Sequence, residues 1–167
     1  MEHLMEPASI QTTKIRKILL DEYSSIHLSN LGIMFEYVAS SHTVNTGNQS
    51  EKLTHSAWNI QSSFLITGEK SSFGAVVPDK PLGNGFGALE IATRYGALSI
   101  DNKTFPTFSD PNRFAEQIKA WAIGLNWYPT EGSRFSVSYE QTDFESSISA
   151  FNMKPEKVLI ARLQVVY

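Results

Sequence analysis

The feature that most constrains this chain is a two-residue period in its C-terminal third. Trp121, Ile123, Leu125 and Trp127 take every second position, against Ala122, Gly124 and Asn126. Successive side chains of a strand point to opposite faces, so this spacing makes a strand with one apolar face. Tyr128–Gly132 then reads as a tight connection, because Pro129 fixes φ and Gly132 accepts backbone conformations that other residues resist. Two more alternating runs follow. Phe135, Val137 and Tyr139 oppose Arg134, Ser136, Ser138 and Glu140, and Leu159, Ala161, Leu163, Val165 and Tyr167 oppose Ile160, Arg162, Gln164 and Val166. A short connection cannot make a parallel crossover. Ile118–Tyr128 is therefore expected to pair antiparallel with Arg134–Phe144, and the latter with Lys157–Tyr167.

The same period recurs upstream in Leu31, Ile33, Phe35, Tyr37 and Ala39, in Trp58, Ile60, Ser62, Phe64 and Ile66, and in Leu89, Ile91, Thr93, Tyr95 and Ala97. Between these runs, Ser40–Lys52 reads as a polar loop without a hydrophobic anchor, and Gly68–Gly85 as a connection punctuated by Gly and Pro. Asp101–Glu116 is a long polar loop whose Phe105, Phe108 and Phe114 are expected to fold back onto the sheet. In Ile10–Leu20, Ile15, Ile18 and Leu19 suit one side of a short helix. Residues 1–30 are accordingly read as an N-terminal arm, helical or irregular, and residues 31–167 as one β segment.

Composition then removes several functions. The formal net charge is −3, so no basic surface for nucleic acid is expected. Absence of cysteine excludes disulfides and thiolate chemistry. His3, His27, His42 and His55 lie at no metal-ligand spacing, and Glu140, Asp143 and Glu145 have no partner motif, so neither metal, cofactor nor catalytic residue is expected. The GNGFG run at Gly83–Gly87 lacks the Lys, the Ser or Thr and the helix of a phosphate-binding loop. No run approaches the roughly 20 apolar residues of a membrane-crossing helix, whereas a crossing strand needs only about 9 to 11. Met1–Pro7 is polar and acidic and KIRKILL at Lys14–Leu20 is too short for a secretory signal. An outer-membrane destination thus requires a signal already removed or a chain that begins partway through a longer one.

Alternation alone fits both a water-exposed sheet and a barrel in lipid around a wet lumen. Trp121, Trp127, Tyr128, Tyr139 and Tyr167 sit near strand ends, where amphipathic rings settle at a membrane interface, although the same rings suit a packed core. With the apolar face toward lipid, the inward face carries Glu36, Glu90, Arg94, Glu140, Arg162 and Gln164, with Arg134 near a strand end. Inward arginines attract phosphate through fixed donors. Alternatively, Arg94 with Glu90 and Arg162 with Glu140 satisfy one another across neighbouring strands.

Four stretches in order carry a family resemblance: SSFLITGEK at Ser62–Lys70, GALEIATRYGALSIDN at Gly87–Asn102, AIGLNWYPTEGSRFSVSYEQTDF at Ala122–Phe144 and ARLQVVY at Ala161–Tyr167. Together they resemble the C-terminal part of the bacterial phosphate-selective, or polyphosphate-selective, porins over roughly Gly32–Tyr167. The resemblance implies an outer-membrane location and passive diffusion of anions such as phosphate or pyrophosphate through barrels of sixteen strands, generally trimeric. Outer-membrane lipid, anions, and a homotrimer or a complementing barrel segment are the partners it implies. The family's inward-folded loop and ladder of basic residues have no matching positions here. The expected fold is all-β, an antiparallel meander of a transmembrane β-barrel, as a partial barrel of about six to eight strands. It is read as a porin fragment, a gene remnant, or a small barrel that closes alone or by assembling chains. The competing reading is a soluble all-β small-ligand-binding barrel with the Trp and Tyr rings inside.

Overall fold

The computed structural model describes residues 18–46, 49–72, 74–146 and 153–166. They form seven strands: β1 (Ile18–Leu28), β2 (Leu31–Thr46), β3 (Gln49–Leu65), β4 (Ala88–Ser99), β5 (Gln117–Tyr128), β6 (Ser133–Glu145) and β7 (Glu156–Val165). Each pairs antiparallel with the next, in the spatial order β1 to β7. Tight turns serve where the sequence allows them. Ser29 takes a positive φ of 53° between β1 and β2, and Gly132 a φ of 79° between β5 and β6.

The sheet is open. Among the described residues β1 pairs only with β2 and β7 only with β6, which overturns the expectation of a transmembrane β-barrel, whole or partial. In an up-and-down meander of seven strands, the first and last run in the same direction, so β1 and β7 cannot meet in the antiparallel ladder that joins every other pair. The soluble small-ligand barrel is overturned with it, because an open sheet gives the aromatic rings no enclosed interior. No helix among the described residues is long and apolar enough to cross a membrane.

Two assignments upstream also change. β1 occupies residues assigned to the N-terminal arm; the part of that arm before Ile18 lies outside the described residues. Ser40–Lys52, read as a loop, instead carries the far ends of β2 and β3, which stay in register out to Thr46 and Gln49. Ladder hydrogen bonds need no apolar side chain, and Ser41 and Thr54 add a cross-strand hydroxyl bond of 2.7 Å.

Antiparallel register sorts the side chains. Partners Phe35–Ile60, Ile60–Tyr95, Tyr95–Trp121, Ile91–Leu125, Leu125–Val137 and Phe135–Leu163 share an apolar face. On the other face lie Glu36–Asn59, Gln61–Arg94, Glu90–Asn126, Ala122–Glu140, Ser136–Arg162 and Arg134–Gln164. Rings run along the apolar face, with centroids 5.6 Å apart for Trp58 and Tyr95, 5.4 Å for Trp121 and Tyr139, and 5.5 Å for Trp127 and Phe135. Phe86 stacks on Trp127 at one edge of that face, while Ile123, Leu125, Val137, Leu159 and Leu163 are all exposed. The buried apolar residues are few, among them Leu53, Leu65 and Ala88 on the polar face. One sheet layer without a second has no sandwich core, and a contiguous apolar face of this extent marks a contact surface.

The β3–β4 connection covers one end of the polar face. Ser71 donates its amide to Ser29 O at 2.7 Å, and its hydroxyl lies 3.1 Å from His27 Nδ1, above Gly32 of β2. Farther along, Gly74–Val76 lie against Tyr128, Arg134 and Gln164 of β5, β6 and β7. The buried Glu69 fastens this segment, accepting from Thr67 Oγ1 and, at 3.4 Å, from the Asp79 amide. Where the segment rejoins the sheet, Gly87 holds a φ of 89°, and a Cβ there would strike the carbonyl oxygen of Tyr128. Gly87→Ala is expected to cost about 1–3 kcal/mol through forced positive φ and that clash. Equilibrium unfolding in urea measures it, and an unchanged midpoint would show that the junction relaxes freely.

Candidate functional site

Chemistry gathers on the polar face, and small residues on β4 and β5 let it do so. Arg94 sits opposite Ala122, and Ala122 opposite Glu140. With only a methyl group between them, the guanidinium reaches across β5 and Arg94 Nη2 donates to Glu140 Oε2 at 2.7 Å. The side chains are 47% and 32% exposed, so this pair contributes no more than about 1 kcal/mol. The pairing of Arg94 with Glu90 suggested by the sequence does not form. Glu90 is buried and accepts from Asn126 Nδ2 at 2.8 Å and from Tyr128 Oη at 2.7 Å. Glu36 accepts from Asn59 Nδ2 at 2.7 Å, and Gln61 Nε2 donates to Asn59 Oδ1 at 2.9 Å.

Glu36, Glu90 and Glu140 are therefore hydrogen-bonded or ion-paired locally, whereas two cations on β6 and β7 have no carboxylate partner among the described residues. Arg134 Nη2 donates to Gln164 Oε1 at 3.2 Å, but Arg134 Nε and the Ser136 hydroxyl are buried without a hydrogen-bond partner among the described residues. Ser136 is the register partner of Arg162. Neither Arg134 nor Arg162 forms a salt bridge among the described residues. All three border a hollow of about 420 Å³, with Arg94, Asn126, Ser138 and Glu140 around it and Ala92, Ala122 and Gly124 contributing to its lining. Buried donors without acceptors cost free energy, and Arg94, Arg134 and Arg162 all border this hollow.

The candidate lumen residues Glu36, Glu90, Arg94, Glu140, Arg162 and Gln164 thus lie on one face, and Arg134 joins them. The candidate interface aromatics divide. Trp121, Trp127 and Tyr139 are on the apolar face, Tyr128 is on the polar face with Glu90, and Tyr167 lies outside the described residues. Asn59, Gln61, Asn126 and Ser136 were not singled out in the sequence, although their parity along each strand matches that of the charged set. GNGFG is no phosphate cradle, since the amides of Gly85 and Gly87 are occupied by Pro81 O and Lys80 O. Among the described residues no group of three or more His, Asp or Glu side chains could hold a metal.

At the opposite end of the sheet the β4–β5 connection folds back as its phenylalanines suggested. Phe105 and Phe114 close, with Ile118 and Phe144, a cleft of about 440 Å³. Asp101 caps the short 3-10 helix Asn102–Thr104 there. Its carboxylate accepts from the Thr54 amide at 2.8 Å and the Lys103 amide at 3.0 Å. The Thr54 amide first, then the Lys103 amide and charge, hold the Asp101 carboxyl below the ordinary range.

The described residues define a single open antiparallel β-sheet with one polar and one apolar face. The chain belongs to the family of phosphate-selective porins O and P, whose model matches residues 23–167. Porins of this family are non-catalytic transporters, and the chain is not an enzyme. Membership carries a phosphate and anion transport role at the family level, contact with membrane and anions in general, and an outer-membrane location. No curated protein matches the chain.

A depressed folded-state pKa places Asp101's contribution to stability above the unfolded value of about 3.9 and removes it as the pH falls through the folded value. Acid unfolding should therefore begin at higher pH when cap and ladder are weakened together. Asp101→Asn is expected to lower stability at pH 7 and to flatten its decline below about pH 4. Urea midpoints at pH 7 and pH 3 test this; equal losses in wild type and variant on acidification would remove Asp101 from the account.

Proposed function

We propose that this chain forms one wall of a passive path for small anions such as phosphate or pyrophosphate at the outer membrane, its polar face turned to the solute and its apolar face to lipid. The observation that carries this reading is the placement of Arg134 and Arg162, which form no salt bridge among the described residues, on the border of one hollow of about 420 Å³. Guanidinium groups keep their charge at any physiological pH and match the oxygens of phosphate. Support for the lipid side comes from the aromatic rows. Trp121 and Trp127 stand six positions apart on one strand, about 20 Å, with aliphatic Ile123 and Leu125 between them.

Phosphate titration of the folded chain, followed by backbone amide shifts, tests the assignment. Phosphate should move the amides of Arg134–Ser138 and of Arg162. The double variant Arg134→Ala with Arg162→Ala should bind at least about tenfold more weakly, the loss expected for charge-assisted hydrogen bonds. Arg94→Ala, which frees Glu140 as an uncompensated carboxylate beside the hollow, should also weaken binding. Shifts that spread evenly over the sheet, or a double variant that binds as wild type does, would separate these arginines from anion passage.

A further inference from the structure

His42 and His55 stand 13 positions apart in the sequence, and the β2–β3 hairpin brings them together on the polar face. His55 is the register partner of Ser40, two residues before His42, and the two ring centroids are 5.1 Å apart. The Asp101 amide donates to His55 Nδ1 at 3.2 Å. A ring nitrogen that accepts a hydrogen bond carries no proton, so His55 is neutral here with its hydrogen on Nε2. Asp101 opens the β4–β5 connection, and His55 itself borders the cleft that Phe105 and Phe114 close. One imidazole thus holds the first residue of the segment that covers this end of the polar face.

We propose that His55 is a pH-dependent latch for the β4–β5 connection: neutral, it accepts the Asp101 amide, and on taking a proton from solvent at Nδ1 it lets that amide go. Protonation turns both ring nitrogens into donors, so the bond cannot survive in its present geometry. His42, facing His55 from β2, disfavours the charged form of His55. Asp101 pulls the other way, but both its oxygens already accept backbone amides, and Lys103 beside it is paired with Glu51 of β3 at 3.5 Å. Burial first, and then His42, hold the His55 imidazole below the ordinary histidine range, so the connection loosens as the pH falls below that range. The inference concerns the connection alone and stands apart from anion passage.

Hydrogen exchange on the full chain, corrected for the intrinsic pH dependence of exchange, tests it. Between pH 7.5 and pH 5 the protection factor of the Asp101 amide should fall about tenfold, the loss of one hydrogen bond of ordinary net strength. Amides at the centre of β5 and β6, such as Leu125 and Val137, should hold theirs. His55→Gln keeps an acceptor without a titrating group, and its Asp101 protection should be flat over the same range. Independently of any variant, nitrogen-15 shifts of the imidazole at pH 8 should report the Nε2–H tautomer at His55. Flat protection in wild type, a pH dependence that survives in His55→Gln, or an Nδ1–H tautomer would each overturn the latch.

Discussion

The continuous antiparallel register from β1 to β7 is the constraint on which the rest of this structure depends. Side chains alternate along each strand, so the two faces stay chemically distinct only while every ladder keeps its alignment. Slipping β6 by one residue against β5 would carry Glu140 to the apolar side and bring Val137 or Tyr139 onto the polar one. Few residues are buried deeply enough to fix that alignment by packing alone. Turn chemistry at Ser29 and Gly132 and cross-strand pairs such as Trp58 with Tyr95 and Trp121 with Tyr139 share the task.

Given that register, size decides which charges meet. Ala122 and Gly124 leave room over β5, so Arg94 passes its nearest neighbours and bonds to Glu140 two strands away. Glu90 is then left to Asn126 and Tyr128, and the cations at Arg134 and Arg162 are left without carboxylates among the described residues. Glu36, Glu90 and Glu140 offset Arg94, Arg134 and Arg162, and Asp21, Glu51 and Glu156 add negative charge to the same face. Its local field is uneven, and local field governs where an anion rests.

Both long connections with described residues lean over this same face, Ser71 and Gly74–Val76 from one end and Phe105 and Phe114 from the other. On the apolar face Phe86 stacks on Trp127, and the exposed Leu, Ile and Val side chains need an apolar environment or a partner surface to avoid water. Register and burial therefore give the faces different characters, with hydrogen-bonded cover and arginines on one and exposed apolar side chains on the other.

Alternation is a local property, so the sequence by itself determined the strands from β4 to β7, the membership of their two faces and the antiparallel order of the last three. The apolar and polar sets around Ile123, Val137, Arg94 and Arg162 could be read without a partner in view because period two needs only neighbours along the chain. Tertiary structure alone decided matters that depend on which residue stands opposite which. It drew Ile18–Leu28 into the sheet and kept the polar ends of β2 and β3 paired, since ladder bonds hold without a hydrophobic signal. It joined Arg94 to Glu140 and His42 to His55, pairs that meet only through cross-strand register. It also left the sheet open, because closure depends on the number and direction of strands at the two edges, and no periodicity within a strand encodes that.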